Sequence, residues 1–348
     1  MRILRFVFLL LIALVVAPAA IVSAQPAPAA SPRLPEDTFD RAALAAHLRF
    51  LASDELMGRR AGTWGADVAA RYIAEQFRAA GVRPAPGSDE YFQAVPLPRE
   101  AGTSYNVVGV LEGSDPALKD EYIILMAHYD HVGAGMENGR GATPTDSIFN
   151  GARDNGMGTV ALIAAAHALA QERPARPVIF LAAAAEEMGL VGSRYYAEHP
   201  LIPLQQTVFG LNIDSGGYSD TSVVTLVGMG RTTADSLIAA GAAVYGLEVI
   251  PDPSPEQGLF DRSDNASFTR KGIPVPTFSP GFRSFSDPGV ANYYHHVQDE
   301  ADEDFDFDYL HRFVQAYTRA ARLIANSPTH PTWQPGDEYE ARAATDEG

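Results

Sequence analysis

From residue 105 onward the chain alternates two kinds of apolar pattern, and that alternation restricts it to few folds. Residues 105–111, 122–127 and 208–214 form short apolar runs rich in β-branched side chains, and residues 177–185 open the same way with Val178-Ile179-Phe180-Leu181. Runs of this kind read as strands buried on both faces. Further strands are predicted at 222–227 and 274–278. Helical spacing is predicted at 158–169, 191–199, 234–245 and 305–325, and earlier at 39–52 and 64–80. In the 64–80 segment Val68, Tyr72, Ile73 and Phe77 share a face, and Gly81 supplies the stop. Strands alternating with helices predict an α/β fold, with a mixed, mostly parallel β-sheet sandwiched between α-helices. No segment repeats at a fixed period. With 46% hydrophobic residues, one large core can be filled.

The two ends read differently. Arg2 and Arg5, an apolar run over 6–16 and the small residues Val22-Ser23-Ala24 make the three-part pattern of a signal peptide over residues 1–24. Export to the periplasm or the medium is the expectation, with no stable membrane anchor once that segment is removed. Residues 25–38 are Pro/Ala-rich and read as a flexible leader, 39–326 as one domain, and 327–348 as a polar tail that wraps the surface or frays. The sequence carries no signal for oligomeric state.

A net charge of −17 repels phosphate backbones, so no nucleic-acid partner is expected. The chain has no cysteine. Disulfides and thiolate ligands are therefore excluded, and any zinc would have to be held by His, Asp and Glu.

Chemistry-bearing residues gather where the strands should end. The strand at 122–127 runs into His128-Tyr129-Asp130-His131, the one at 177–185 into Glu186-Glu187, and the one at 208–214 ends on Asp214. In open α/β sheets, sites form outside the carboxyl ends of the strands. Each residue also has a dull reading: a lone histidine is usually structural, a Glu pair solvated, an Asp after a strand a cap. Glu186 and Glu187 stand out because they follow the buried stretch Leu181-Ala182-Ala183-Ala184-Ala185, where a carboxylate pair needs compensation. Two other segments look like loops that complete a site: Asn150-Gly151-Ala152-Arg153-Asp154-Asn155-Gly156, and Tyr294-His295-His296-Val297-Gln298-Asp299.

Taken in order, these motifs resemble the co-catalytic two-zinc aminopeptidases, relatives of bacterial leucyl aminopeptidase and glutamate carboxypeptidase. The resemblance runs over roughly residues 40–325, and Ser53-Asp54-Glu55-Leu56-Met57-Gly58-Arg59-Arg60 also looks like the family's N-terminal segment. It implies an exopeptidase acting on peptide substrates with two zinc ions per chain. His128 and Asp214 would hold one ion and Glu187 and His295 the other, with Asp154 bridging them. Glu186 would be the general base, and Asp130 would orient His128. A bridging carboxylate suits two metals roughly 3.5–4 Å apart, and zinc makes a nucleophile from water near neutral pH.

Some positions depart from the family pattern. Arg153 stands where many relatives carry an acidic residue, Asn265 where histidine is common, and Val297 where proline is frequent. His296 competes with its neighbour His295 as a ligand, and Tyr129 and His131 have no assigned part. Rival readings on the same scaffold are a carboxypeptidase or dipeptidase, for which Arg231, Arg262 or Arg283 would grip a carboxylate, and a one-zinc glutaminyl cyclase. A non-catalytic binding module would have lost ligands, and none is lost. The acidic run Asp302-Glu303-Asp304-Phe305-Asp306 lacks the spacing of a calcium loop and reads as a helix start.

Overall fold

Successive side chains on a strand point to opposite faces, so a strand that is apolar at every position must be covered on both. A computed structural model, describing residues 39–340, places the two most apolar runs in that setting. In β4 (Tyr122–His128), Ile123, Leu125 and Ala127 enter one core while Ile124 and Met126 enter another. β7 (Val178–Ala183) divides the same way, with Val178, Phe180 and Ala182 opposite Ile179, Leu181 and Ala183. The signal-peptide and leader segments, 1–24 and 25–38, lie outside the described residues, as do residues 341–348.

The remaining strands are β1 (Arg83–Pro84), β2 (Phe92–Pro96), β3 (Thr103–Leu111), β5 (Gly133–Ala134), β6 (Ile148–Phe149), β8 (Thr207–Ile213), β9 (Val223–Val227), β10 (Glu248–Pro251) and β11 (Thr277–Pro280). Nine strands form one sheet in the order β1-β3-β7-β4-β8-β11-β9-β10, with β2 also on β3, and β5 and β6 form a separate hairpin. The central four, β7-β4-β8-β11, are parallel; antiparallel pairs lie on the flanks.

The larger helix layer holds α1 (Arg41–Leu51), α2 (Trp64–Ala80), α3 (Met157–Gln171), α5 (Asp235–Ala243) and α8 (Phe307–Ala325). α4 (Val191–Glu198) and α6 (Asn265–Thr269) cover the other face, and α7 (Pro288–Ala291) is a short turn packed on residues 217–219 after β8. α3 is apolar nearly all round because it sits at the centre of its layer, touching the sheet and α1, α2 and α8. Asp306 caps α8, accepting from Tyr309 N at 2.8 Å, so the acidic run opens a helix. The described part of the tail packs: Trp333 is buried and its Nε1 donates to Gly272 O at 2.7 Å. Among the described residues no helix is long and apolar enough to cross a membrane.

This topology positions the site. β7, β4 and β8 are adjacent and parallel, so their carboxyl ends lie side by side at strand spacing. His128 is paired with Ala183, and Ala127 with Ile213. Residues that are far apart in sequence thus leave the sheet at one edge.

Candidate metal centre

His128 is the last residue of β4 and is fully buried, with Thr159 Oγ1 on α3 donating to its carbonyl at 3.0 Å. Asp214 follows β8 directly; Ser215 N–H donates to its Oδ1 at 2.7 Å and Ser279 Oγ to its carbonyl at 2.6 Å. After β7 the chain turns through Ala185, whose φ of 57° is tolerated by a small side chain, and delivers Glu186 and Glu187.

Asp154 comes from the Gly151 loop before α3, a segment held by one residue from the far side of the site. Asp299 accepts from Arg153 N at 2.9 Å, Asp154 N at 3.0 Å and Arg153 Nη1 at 3.1 Å. The Arg153 guanidinium lies over the Tyr293 ring at 3.7 Å. The arginine thus faces Asp299 and a ring and leaves the Asp154 carboxylate clear. His295 adopts φ 52°, uncommon for a non-glycine residue, and its carbonyl accepts from Arg140 N at 2.8 Å. His295 presents Nε2 to the carboxylates, whereas the His296 ring lies against Gly141 and accepts from Gln298 N.

The separations have a pattern. His128 Nε2 is 3.3 Å from Asp214 Oδ1 and 3.5 Å from Asp154 Oδ1. His295 Nε2 is 3.4 Å from Asp154 Oδ2 and 2.9 Å from Glu187 Oε2. Two ligands at 2.0–2.1 Å from one tetrahedral ion lie about 3.3–3.4 Å apart. The three separations involving His128 or the His295–Asp154 pair are therefore close to tetrahedral edges, and His295–Glu187 is at hydrogen-bond distance. The two triads use opposite oxygens of Asp154. Among the described residues, the clusters able to hold a metal are His128–Asp154–Asp214 and His131–Asp154–Glu187, so Asp154 belongs to both, and His295 approaches the second from the cavity side.

Asp130 is buried and its carboxylate caps the Glu186 and Glu187 amides, with Glu186 N–H donating to Oδ1 at 3.0 Å. His128 Nδ1 lies 3.2 Å from the Asp130 carbonyl oxygen and 3.8 Å from its carboxylate. Burial pushes the Asp130 carboxyl up to about 7. It also holds Glu186 well above the carboxylate range, with Asp214 and Glu187 adding to the effect and His128 opposing it. Burial alone would lower His295, but hydrogen bonds to Asp154 and Glu187 outweigh it and raise the imidazole to about 10. Glu187 shows the reciprocal: burial disfavours its charge, yet His131 and His295 hold it well below the usual range.

Three residues at the site had no assigned part in the sequence reading. His131 Nδ1 is 3.0 Å from Glu187 Oε1. Arg59 is buried with its guanidinium spent on the carbonyls of Tyr129, Leu51, Asn150 and Gly151, which ties the His128 and Asp154 segments together. Asp264 is buried, and burial pushes its carboxyl up to about 6. The only sequence signal for Arg59 was its family-like neighbourhood. Asn265, beside Asp264, is turned to donate to Phe260 O at 2.8 Å. A cavity opens over Glu186, Asp214 and His295, walled by Leu259, Phe282, Phe285, Val290 and Tyr294.

Two carboxylate–histidine triads under a cavity at the carboxyl edge of a parallel sheet make this an α/β fold with a donor set suited to metal ions. Residues 106–321 match peptidase family M28, and the chain belongs to that family. It is 30% identical over 182 residues to a probable leucine aminopeptidase 2 of Aspergillus oryzae, a match covering 51% of this chain and 33% of that protein. The chain thus spans a third of that relative's length. The fold is shared with a Zn-dependent exopeptidase from Parabacteroides distasonis at a TM-score of 0.62 and 18% identity, covering 80% of this chain and 97% of the other. It is shared equally with a glutaminyl cyclase from Bacteroides thetaiotaomicron, at TM-score 0.62 and 18% identity, covering 84% and 99%.

Proposed function

We propose that the chain is an exported zinc aminopeptidase that removes N-terminal residues from peptides, with two zinc ions per chain. The observation that carries this reading is Asp154, which offers one oxygen to the His128–Asp214 pair and the other to the Glu187–His295 pair. A one-zinc cyclase has no need of that second set of donors. In this reading His128, Asp154 and Asp214 hold one ion, and Asp154, Glu187 and His295 the other. Zinc held there supplies a Lewis acid that makes water more acidic and polarises a carbonyl.

The chain's own groups do the rest. Glu186, raised by burial and adjacent carboxylates, takes the proton from the attacking water and returns it to the leaving amine nitrogen. Asp130 holds the Glu186 and Glu187 amides so that both side chains leave the backbone at fixed points. The excess of carboxylates around Glu187 and Asp214 accommodates a free substrate ammonium, and the apolar wall of Phe282, Phe285 and Val290 receives the side chain next to it.

One observation favours a second reading. Arg231 pairs with Asp337 and Arg283 with Asp220, but Arg262 lines the cavity. A cation there suits a substrate carboxylate, as a carboxypeptidase or dipeptidase requires. A panel of aminoacyl amides and N-blocked peptides, assayed with and without chelator, separates the two. Chelator-sensitive cleavage confined to free-amine substrates is the expected result; efficient cleavage of blocked peptides sinks the aminopeptidase.

Metal loading should also release protons. The metal-free His295 holds its proton up to about 10, against 6.5 for an ordinary imidazole. Raised in the folded state, that proton stabilises the metal-free protein fully below 6.5, and the contribution fades as pH rises through 10. Zinc competes for the same nitrogen, so apparent affinity should climb as pH rises toward 10. Calorimetric titration in buffers of different ionisation enthalpy counts the protons, and a count of zero at pH 7.5 rules out this linkage.

A further inference from the structure

His131 is the second histidine of the segment that leaves β4, and the zinc reading above gives it no part. Two imidazoles approach Glu187 from different sides. His295 Nε2 meets Oε2 at 2.9 Å and stands 3.4 Å from Asp154 Oδ2, which fits an ion shared by all three. His131 Nδ1 meets the other oxygen, Oε1, at 3.0 Å, and is 3.9 Å from Asp154 Oδ2. His131, Asp154 and Glu187 lie close enough to form a metal cluster of their own. But 3.9 Å is longer than the roughly 3.3–3.4 Å edge of a tetrahedral zinc site, whereas His295 reaches both carboxylates within 3.4 Å, which sets His131 outside the tetrahedron that His295 completes. We infer that His131 is a positioning residue: its Nδ1–H donates to Glu187 Oε1 and thereby turns Oε2 toward the position shared with Asp154 and His295.

The imidazole is held ready for this. It is fully buried, and its backbone N–H is directed at the Arg59 carbonyl at 3.4 Å. One side of the ring rests on Gly151, where a Cβ would come within 2.6 Å of the ring Cγ and 2.7 Å of Cδ2. Gly151 also has φ +57°, so both its backbone and its lack of a side chain suit the ring. The His295 ring meets His131 edge-on at 5.6 Å between centroids. On the far side Nε2 is buried without a partner. A carboxylate only accepts, so the hydrogen shared with Glu187 belongs on Nδ1.

The need for such a donor follows from the Glu-Glu pair. Two consecutive flexible carboxylates emerge beside the same centre, and the chemistry assigns them different work. A fixed N–H on Glu187 commits that side chain to holding metal and leaves Glu186 free to move a proton. Partners that orient a ligating carboxylate typically change metal affinity by about 10–100-fold when removed.

The inference rests on the two-zinc reading, and single-site backgrounds separate the two. In a His128→Ala background the ion left in place reports Asp154, Glu187 and His295; in a His295→Ala background it reports the other triad. Zinc affinity in each is measured by competition with a chromophoric chelator, and melting of the metal-free forms monitors the fold. Adding His131→Ala is expected to weaken zinc by about 10–100-fold in the first background and to leave the second unchanged. His131→Asn, which keeps an N–H near the place of Nδ1, should restore affinity to within a few fold. Unchanged affinity in the first background overturns the inference, as does equal weakening in both, which marks a merely structural role. Failure of His131→Asn to restore binding also overturns it and makes His131 a direct ligand. If the unsubstituted chain binds no zinc, the two-zinc reading itself falls, and the inference with it.

Discussion

Glu186→Ala is expected to bind zinc as the unsubstituted chain does and to lose about 10²–10⁴-fold in kcat, the range for removing a general base. Its side chain lines the cavity beside Asp214 and His295, yet the tetrahedral pattern of separations is complete without it. Removal should therefore spare the metal count. A carboxyl raised by burial and by neighbouring carboxylates is suited to accept a proton and return it near neutral pH, which an ordinary exposed glutamate does less well. Single-turnover kinetics with metal analysis on the same sample is the check. A near-normal kcat with full metal removes Glu186 from the base role, and lost metal would make it a ligand.

Asp154→Ala should have the opposite signature. Asp154 stands 3.5 Å from His128 Nε2 and 3.4 Å from His295 Nε2, so one truncation takes a donor from both triads. Zinc affinity is expected to fall by more than the roughly 100-fold that orienting residues command. The metal-free variant should nevertheless fold. Truncation relieves a carboxyl whose charge is disfavoured by burial and by Glu187, at the cost of its contact with the protonated His295, and the loop is held through the amides of residues 153 and 154 rather than through that side chain. Calorimetry with and without zinc tests both halves. Retention of two ions would end the bridging assignment.

The sheet's centre was legible because its strands are apolar at every position, and only double coverage allows that. β4 and β7 fall where the runs at 122–127 and 177–185 predict them, and α3 falls on 158–169. The edges were not legible. β1, β2 and β10 are short and carry Arg83, Gln93 and Glu248, so their pairing is set by neighbouring strands and not by their own pattern. The strand predicted at 274–278 begins later, at Thr277, because Pro274 and Pro276 lack an N–H; they contribute only carbonyls, accepting from Gly210 and Asn212. At the site, His128 and Asp214 could be placed from strand ends alone. Asp154 and His295 emerged only from the order of the motifs, since loops bring them in. The approach of His131 to Glu187, and of the Asp130 carboxylate to two amides, depends on chain paths that no spacing encodes.

Arg59 and Asp299 meet the segments that carry His128 and Asp154 through the backbone, at carbonyls 129, 150 and 151 and at amides 153 and 154. The inner wall of the site is thereby fastened by main chain, whatever side chains it displays. The outer wall, with Leu259, Phe282, Phe285 and Val290, belongs to later segments with ties of their own, Phe282 N donating to Thr225 Oγ1 and Phe285 N to Ser254 Oγ. Exchange of outer-wall side chains thus reshapes the cavity without loosening the Arg59 and Asp299 ties that fix the inner wall.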